Sequence, residues 1–163
     1  MKFNITRYDH YYDSVNNKAN FWLAFNSFII GAVLASYNAA KDVVCPANKA
    51  YFGYGVAVFT VLSVIACILI MIASSPHLNP RRRAAHRTRS LLYFDDVAAM
   101  DVVDYRTELD SADVFRERTD FTAQAHNLAL GLERKYRILS YVGKVMIAAL
   151  LILLYTVYLY ITN

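Results

Sequence analysis

A chain of 163 residues, 57% of them hydrophobic and with a formal net charge of +4, is one domain-sized unit and too apolar for an ordinary small soluble domain. Its Lys and Arg residues flank apolar stretches as orientation signals do, which argues against nucleic acid as a partner. The two cysteines, Cys45 in a short loop and Cys67 inside an apolar run, do not make a disulfide framework. Cys45 reads as an inert thiol, with a crosslink between subunits as the alternative.

Residues 1–20 are polar and aromatic, with Tyr8, Tyr11, Tyr12 and Val15 at helical spacing, and predict a short helix at the membrane surface. The apolar run that follows ends at Val33-Leu34-Ala35, a small-residue pattern that resembles a signal-peptide cleavage site. A leader of about twenty residues carrying Asp9 and Asp13 argues against that, so the first span, Phe21 to about Ala40, is taken as retained. Within it Ser27, Gly31, Ala35 and Ala39 recur every four residues and leave one side of the helix made of small residues. In lipid such a stripe lets two backbones approach closely, so it is expected to pack on the second span or on another subunit. Asn26 lies inside this span, and a buried amide in lipid is expected to bond across helices, a polar pathway being the alternative.

The loop Lys41 to Ala50 holds Pro46 and is too short for a domain. The second span runs from Tyr51 to about Ala73 and is stopped by Ser74-Ser75-Pro76. Residues 21–74 thus form a transmembrane hairpin. Arg81, Arg82, Arg83, Arg87 and Arg89 follow it, and the positive-inside rule places them in the cytoplasm. That puts the N-terminus inside and the C-terminus outside; the inverted topology would expose five arginines. Tyr37, Tyr51, Tyr54, Tyr158 and Tyr160 then fall at outer ends of spans and Trp22 at an inner end, as interfacial aromatics should.

Residues 75–144 are expected to form a small cytosolic helical region. Leu91, Leu92, Tyr93, Phe94, Val97, Ala98 and Met100 make an apolar patch edged by Asp95, Asp96, Asp101 and Asp104, read as a short helix packed on a longer one. That longer helix is expected from Ser111 onward, capped by Asp110 or Ser111 with Asp113 in its first turn. Its apolar face is Phe121, Ala125, Leu128, Leu132, Tyr136, Leu139, Val142 and Met146. From Val145 to Ile161 the sequence is apolar on every side, so residues 145–163 are read as a third transmembrane helix continuing the polar one without a break.

Little here suggests catalysis. His10, His77, His86 and His126 are not paired at metal-site spacing, so no metal site is expected. Asp95-Asp96 reads as a solvated acidic edge before it reads as a cation site, because adjacent helical carboxylates diverge. No nucleophile motif and no phosphate-cradling glycine loop is present, and the chain is read as a non-enzyme. The arginine cluster reads first as an orientation signal facing anionic headgroups. Its sharper reading is a phosphate site, with Arg87 and Arg89 the candidates because they lie beside the aromatic Tyr93 and Phe94. Lys135, Tyr136 and Arg137 offer a second cation-and-aromatic set, alternatively a simple interfacial anchor.

The order of these pieces resembles the transmembrane effectors of bacterial Pycsar antiphage systems. The features that carry the resemblance are Asn17-Lys18-Ala19 entering a span with Phe25-Asn26, the hairpin, Pro80, and Tyr93-Phe94-Asp95-Asp96-Val97. They continue with the amphipathic helix bearing Gln124 and His126, Lys135-Tyr136, and the closing apolar span. The resemblance implies that a partner pyrimidine cyclase makes cyclic CMP or cyclic UMP on infection and that the effector damages the inner membrane. Some relatives carry a histidine-aspartate phosphohydrolase domain, for which this chain has neither the His-Asp dipeptide nor the room. The reading is an all-α membrane protein with three transmembrane helices, acting as a homo-oligomer in the inner membrane. No cofactor is expected beyond the activating nucleotide. The rival reading is a constitutive adaptor or small pore former indifferent to nucleotides.

Overall fold

The computed structural model describes residues 2–75 and 90–162, and among them are five helices and no strand. These are α1 Lys2–Val43, α2 Lys49–Ser74, α3 Phe94–Ala98, α4 Val102–Asp110 and α5 Val114–Ile161. The all-α class holds, and α1, α2 and α5 are each long and apolar enough to cross a bilayer. The expected surface helix and first span are one uninterrupted helix, since neither Pro nor Gly occurs before Gly31. α1 ends beyond Lys41, whose charge suits the negative helix end, and a turn follows in which the Asn48 N–H donates to the Cys45 carbonyl at 2.9 Å. At the end of α2 the Ser75 N–H and hydroxyl both donate to the Met71 carbonyl, at 3.0 and 2.8 Å. Pro76 has no N–H with which to carry the helix on.

The long C-terminal helix starts at Val114, later than its expected cap at Asp110 or Ser111. Those two residues instead close α4, a helix that periodicity alone does not separate from its surroundings. Asp113 is the cap, its Oδ1 accepting from the Arg116 N–H at 2.8 Å.

The chain divides into two compact units, one holding the described residues of Met1–Asp13 and Pro76–Arg134, the other Ser14–Ser75 and Lys135–Asn163. The first unit is ordered largely by side chains that bind backbone N–H groups. Ser90 Oγ accepts from Leu92 and Tyr93, both at 3.3 Å, while Asp96 accepts from the Ser90 N–H at 3.1 Å. Asp120 on α5 accepts from the N–H of buried Leu91 at 2.9 Å, which docks the segment before α3 onto the long helix. Arg116 pairs with Glu108 of α4. The Tyr12 hydroxyl donates to the Leu128 carbonyl at 3.1 Å, and it fits because Gly131 has no side chain where that hydroxyl lies.

In the second unit α1, α2 and α5 pack pairwise. The buried positions of α2 are Phe52, Val56, Phe59, Ser63, Ala66, Ile70 and Ala73, alternating steps of four and three. This repeat of 3.5 keeps one seam facing its partners. Asn26 of α1 donates to the Ser63 carbonyl at 2.8 Å and to Cys67 Sγ at 3.2 Å, the cross-helix bond expected of it. Toward one end Val44, Phe52 and Val56 form a buried cluster against Val33, Tyr37 and Ala40, with the Tyr37 and Phe52 rings stacked at 6.0 Å. Phe28, Val61, Ile68, Ile147, Leu151 and Leu154 are exposed instead of buried. Such an outer surface suits lipid and not water, and the protein is a membrane protein.

Close approach of α2 and α5 depends on Gly55, where a Cβ would overlap the buried side chain of Thr156. Gly55→Ala is therefore expected to lower the thermal midpoint of the detergent-solubilised protein by an overpacking cost of about 1–3 kcal/mol. Adding Thr156→Ala, which removes the overlapping atoms, should recover most of the loss, and failure to recover would place the clash elsewhere.

Candidate functional site

Arg87 and Arg89 lie outside the described residues. Tyr93 sits at the N-cap of α3, half-buried, its N–H held by Ser90 Oγ. Among neighbouring carboxylates Asp96 is committed to the Ser90 N–H, and no group of three or more His, Cys, Asp or Glu comes together among the described residues.

Lys135, Tyr136 and Arg137 do not share a face. Consecutive helical residues are about 100° apart, and α5 turns Lys135 inward while Tyr136 and Arg137 are exposed. Lys135 is 5% exposed and its Nζ donates to Asn16 Oδ1 of α1 at 3.0 Å. The buried seam is thus Leu132, Lys135, Leu139 and Val142, and the Tyr136 expected on the apolar face is displaced to the surface. Steps of three and four permit either residue, and only the apolar character of Tyr favours 136. Lys135 lies ten residues before the uniformly apolar stretch at Val145, where burial pushes its ammonium below the usual lysine range. Its side chain serves helix pairing.

The small-residue stripe also turns away from α2. Ser27, Gly31, Ala35 and Ala39 are all exposed, and a Cβ at Gly31 would meet nothing within 4 Å. Packing on the second span is not what this stripe does, because α1 presents Asn26, Val33, Tyr37 and Ala40 to α2 instead.

One feature of the first unit escaped the reading of periodicity. Phe115, Arg118, Thr119, Thr122, Ala123 and His126, at the start of α5, line an open groove of about 600 Å³. The apolar face begins at Phe121, and a stripe mixing aromatic, cationic and hydroxyl residues carries no hydropathy signal. Its regular spacing of i, i+3, i+4, i+7, i+8 and i+11 is the mark that identifies it as one helical face. The Thr119 and Thr122 hydroxyls donate to the carbonyls of Phe115 and Arg118, at 2.9 and 2.8 Å.

Comparison with known proteins gives one result. The family model described as the Pycsar effector protein domain matches residues 1–162. No curated protein and no solved structure matches the chain.

The Lys135–Asn16 pair makes a stability prediction. Lys135→Met removes a buried charge while keeping an unbranched side chain and should leave the thermal midpoint unchanged or raised. Asn16→Ala takes an acceptor from a buried ammonium and should cost about 1–3 kcal/mol. Equal destabilisation by both variants would show that the ammonium itself is required.

Proposed function

This chain belongs to the Pycsar effector protein domain family and is an antiphage defence effector of that system; on that premise we propose that it answers a cyclic pyrimidine nucleotide by disrupting the membrane that holds it. The signal is cyclic CMP or cyclic UMP, supplied by a partner pyrimidine cyclase. The membrane is the bacterial inner membrane, with the N-terminus and residues 75–144 in the cytoplasm and the C-terminus outside. The observation that carries the reading is the combination, in one effector chain, of three bilayer-length helices with apolar outer faces and a separate compact unit built from polar helices. The action needs no catalytic step.

The nucleotide acts by selecting between packings of the helices. A ligand shifts such an equilibrium only by its difference in affinity for the two states, and a thousandfold shift needs about 4 kcal/mol. Arg87 and Arg89, with Tyr93, are the phosphate and stacking candidates that the sequence supplies in the arginine-rich segment.

Copies of the chain associate through Ser27, Gly31, Ala35 and Ala39. The stripe faces outward and is unfilled within the chain. In lipid, small residues on an outer face are what allow a second helix to come close.

Dye release from liposomes carrying the purified protein tests the gating. Leakage is expected with cyclic CMP or cyclic UMP, not with cyclic AMP or buffer, and should be abolished by Arg87→Ala with Arg89→Ala while insertion is retained. Leakage under all conditions would favour a constitutive pore former, and a tight bilayer under all conditions an adaptor.

Gly31→Ile tests the assembly. A Cβ there meets nothing within 4 Å and the position is exposed, so the helicity and thermal midpoint of the protomer should be unchanged, while crosslinked oligomers in membranes should fall severalfold. Unchanged crosslinking would remove the stripe from the interface.

A further inference from the structure

We infer that the groove at the start of α5 seats an aromatic organic anion with the chemistry of a nucleoside monophosphate, Arg118 taking the phosphate and Phe115 stacking on the base. The inference rests on the cyclic-nucleotide reading above and places that ligand in the described part of the chain as the alternative to the Arg87, Arg89 and Tyr93 set, so that only one of the two sets of variants should abolish binding.

The cation comes first. Arg116 is committed to Glu108, and Arg106 lies 4.0 Å from Asp110. Arg118, two residues beyond Arg116, is exposed, and its side chain makes no ion pair or hydrogen bond among the described residues. Its planar fork of donors therefore faces the groove unspent, in the geometry that matches phosphate oxygens two at a time.

The stacking surface is Phe115, 78% exposed beside Val114 at 80%. A large aromatic ring left in water at the mouth of a groove is a ready platform for a base, since every base presents a π-face. Phe115 and Arg118 stand one helical turn apart, about 4.5 Å along the axis, so one ligand reaches both. His126 closes the far end about 12 Å beyond Arg118 and adds a ring nitrogen. Because the Thr119 and Thr122 hydroxyls already donate to helix carbonyls, what they offer a ligand is acceptor oxygen, suited to N–H groups of a base or hydroxyls of a sugar.

Calorimetric titration of the full-length protein in lipid nanodiscs with cyclic CMP, cyclic UMP and cyclic AMP tests this. The wild type should bind a cyclic pyrimidine nucleotide. Arg118→Ala should weaken binding about tenfold to a hundredfold, as loss of a charge-assisted hydrogen bond does, and Phe115→Ala about tenfold. Arg106→Ala, outside the groove, should stay within about twofold of the wild type. Circular dichroism of each variant checks that exposed substitutions leave the helices intact. Wild-type affinity in both Arg118→Ala and Phe115→Ala overturns the groove as the site while leaving the cyclic-nucleotide reading in place. Absence of binding by the wild type to either pyrimidine nucleotide overturns that reading and this inference together.

Discussion

Lipid gives an apolar helix no reason to leave it, so helices in a bilayer associate only through what lipid tails do not provide. Two such things hold the second unit together: directional polar bonds and backbones brought unusually close. Asn26 supplies the first. Its amide donates across to the Ser63 carbonyl and to Cys67 Sγ, and with Asn26 only 5% exposed the alternative to those bonds is an unsatisfied amide in hydrocarbon. Gly55 against Thr156 supplies the second, a place where α2 and α5 meet without an intervening Cβ. Trp22 rests on α5 at Gly143, its ring atoms 3.4 and 3.7 Å from where a Cβ would stand, at ordinary contact distance. A polar contact, one glycine notch and one ring contact thus connect all three helix pairs of this unit.

The seams follow from those anchors. Once Asn26 faces α2, the 3.5-residue repeat carries Val33, Tyr37 and Ala40 to the same side, and the stripe at Ser27, Gly31, Ala35 and Ala39 is left outside. On α5 the same repeat leads from Val142 and Leu139 back to position 135, which makes a lysine a buried residue. Burying an ammonium is tolerable there because Asn16 presents a carbonyl oxygen at 3.0 Å.

The membrane-length helices were legible because hydropathy and length are properties of the chain itself. Three apolar runs, the stop at Pro76 and the continuity of the last helix through Val145 are all visible in the order of residues. Asn26 was legible for the same reason, since an amide inside an apolar run has few alternatives to a cross-helix bond. What the chain does not display is which of two adjacent residues wins a shared register. Tyr136 and Lys135 both satisfy the spacing, and a partner 119 positions away in the sequence decides between them. The start of α5 carries a similar ambiguity, because Asp110, Ser111 and Asp113 are all good caps and only the geometry of α4 assigns two of them to its end. The groove at Phe115 and Arg118 carries no pattern of hydropathy, and its residues become a set only when the helix places them on one side.

The first unit is built on a different balance. Among its described residues α4 buries no side chain at all, and order comes from Ser90, Asp96, Asp101, Asp113 and Asp120 holding backbone N–H groups. Each such bond contributes about 1 kcal/mol net, and together they hold segments that a hydrophobic core would otherwise have to fix. A ligand at a hundred times its dissociation constant stabilises the state that binds it by about 2.7 kcal/mol, the worth of two or three of these caps. In a densely packed core that contribution would be a small fraction of the whole. In a unit ordered by caps it is comparable with what holds any one of its segments in place, which is the condition under which a small ligand can decide between two arrangements.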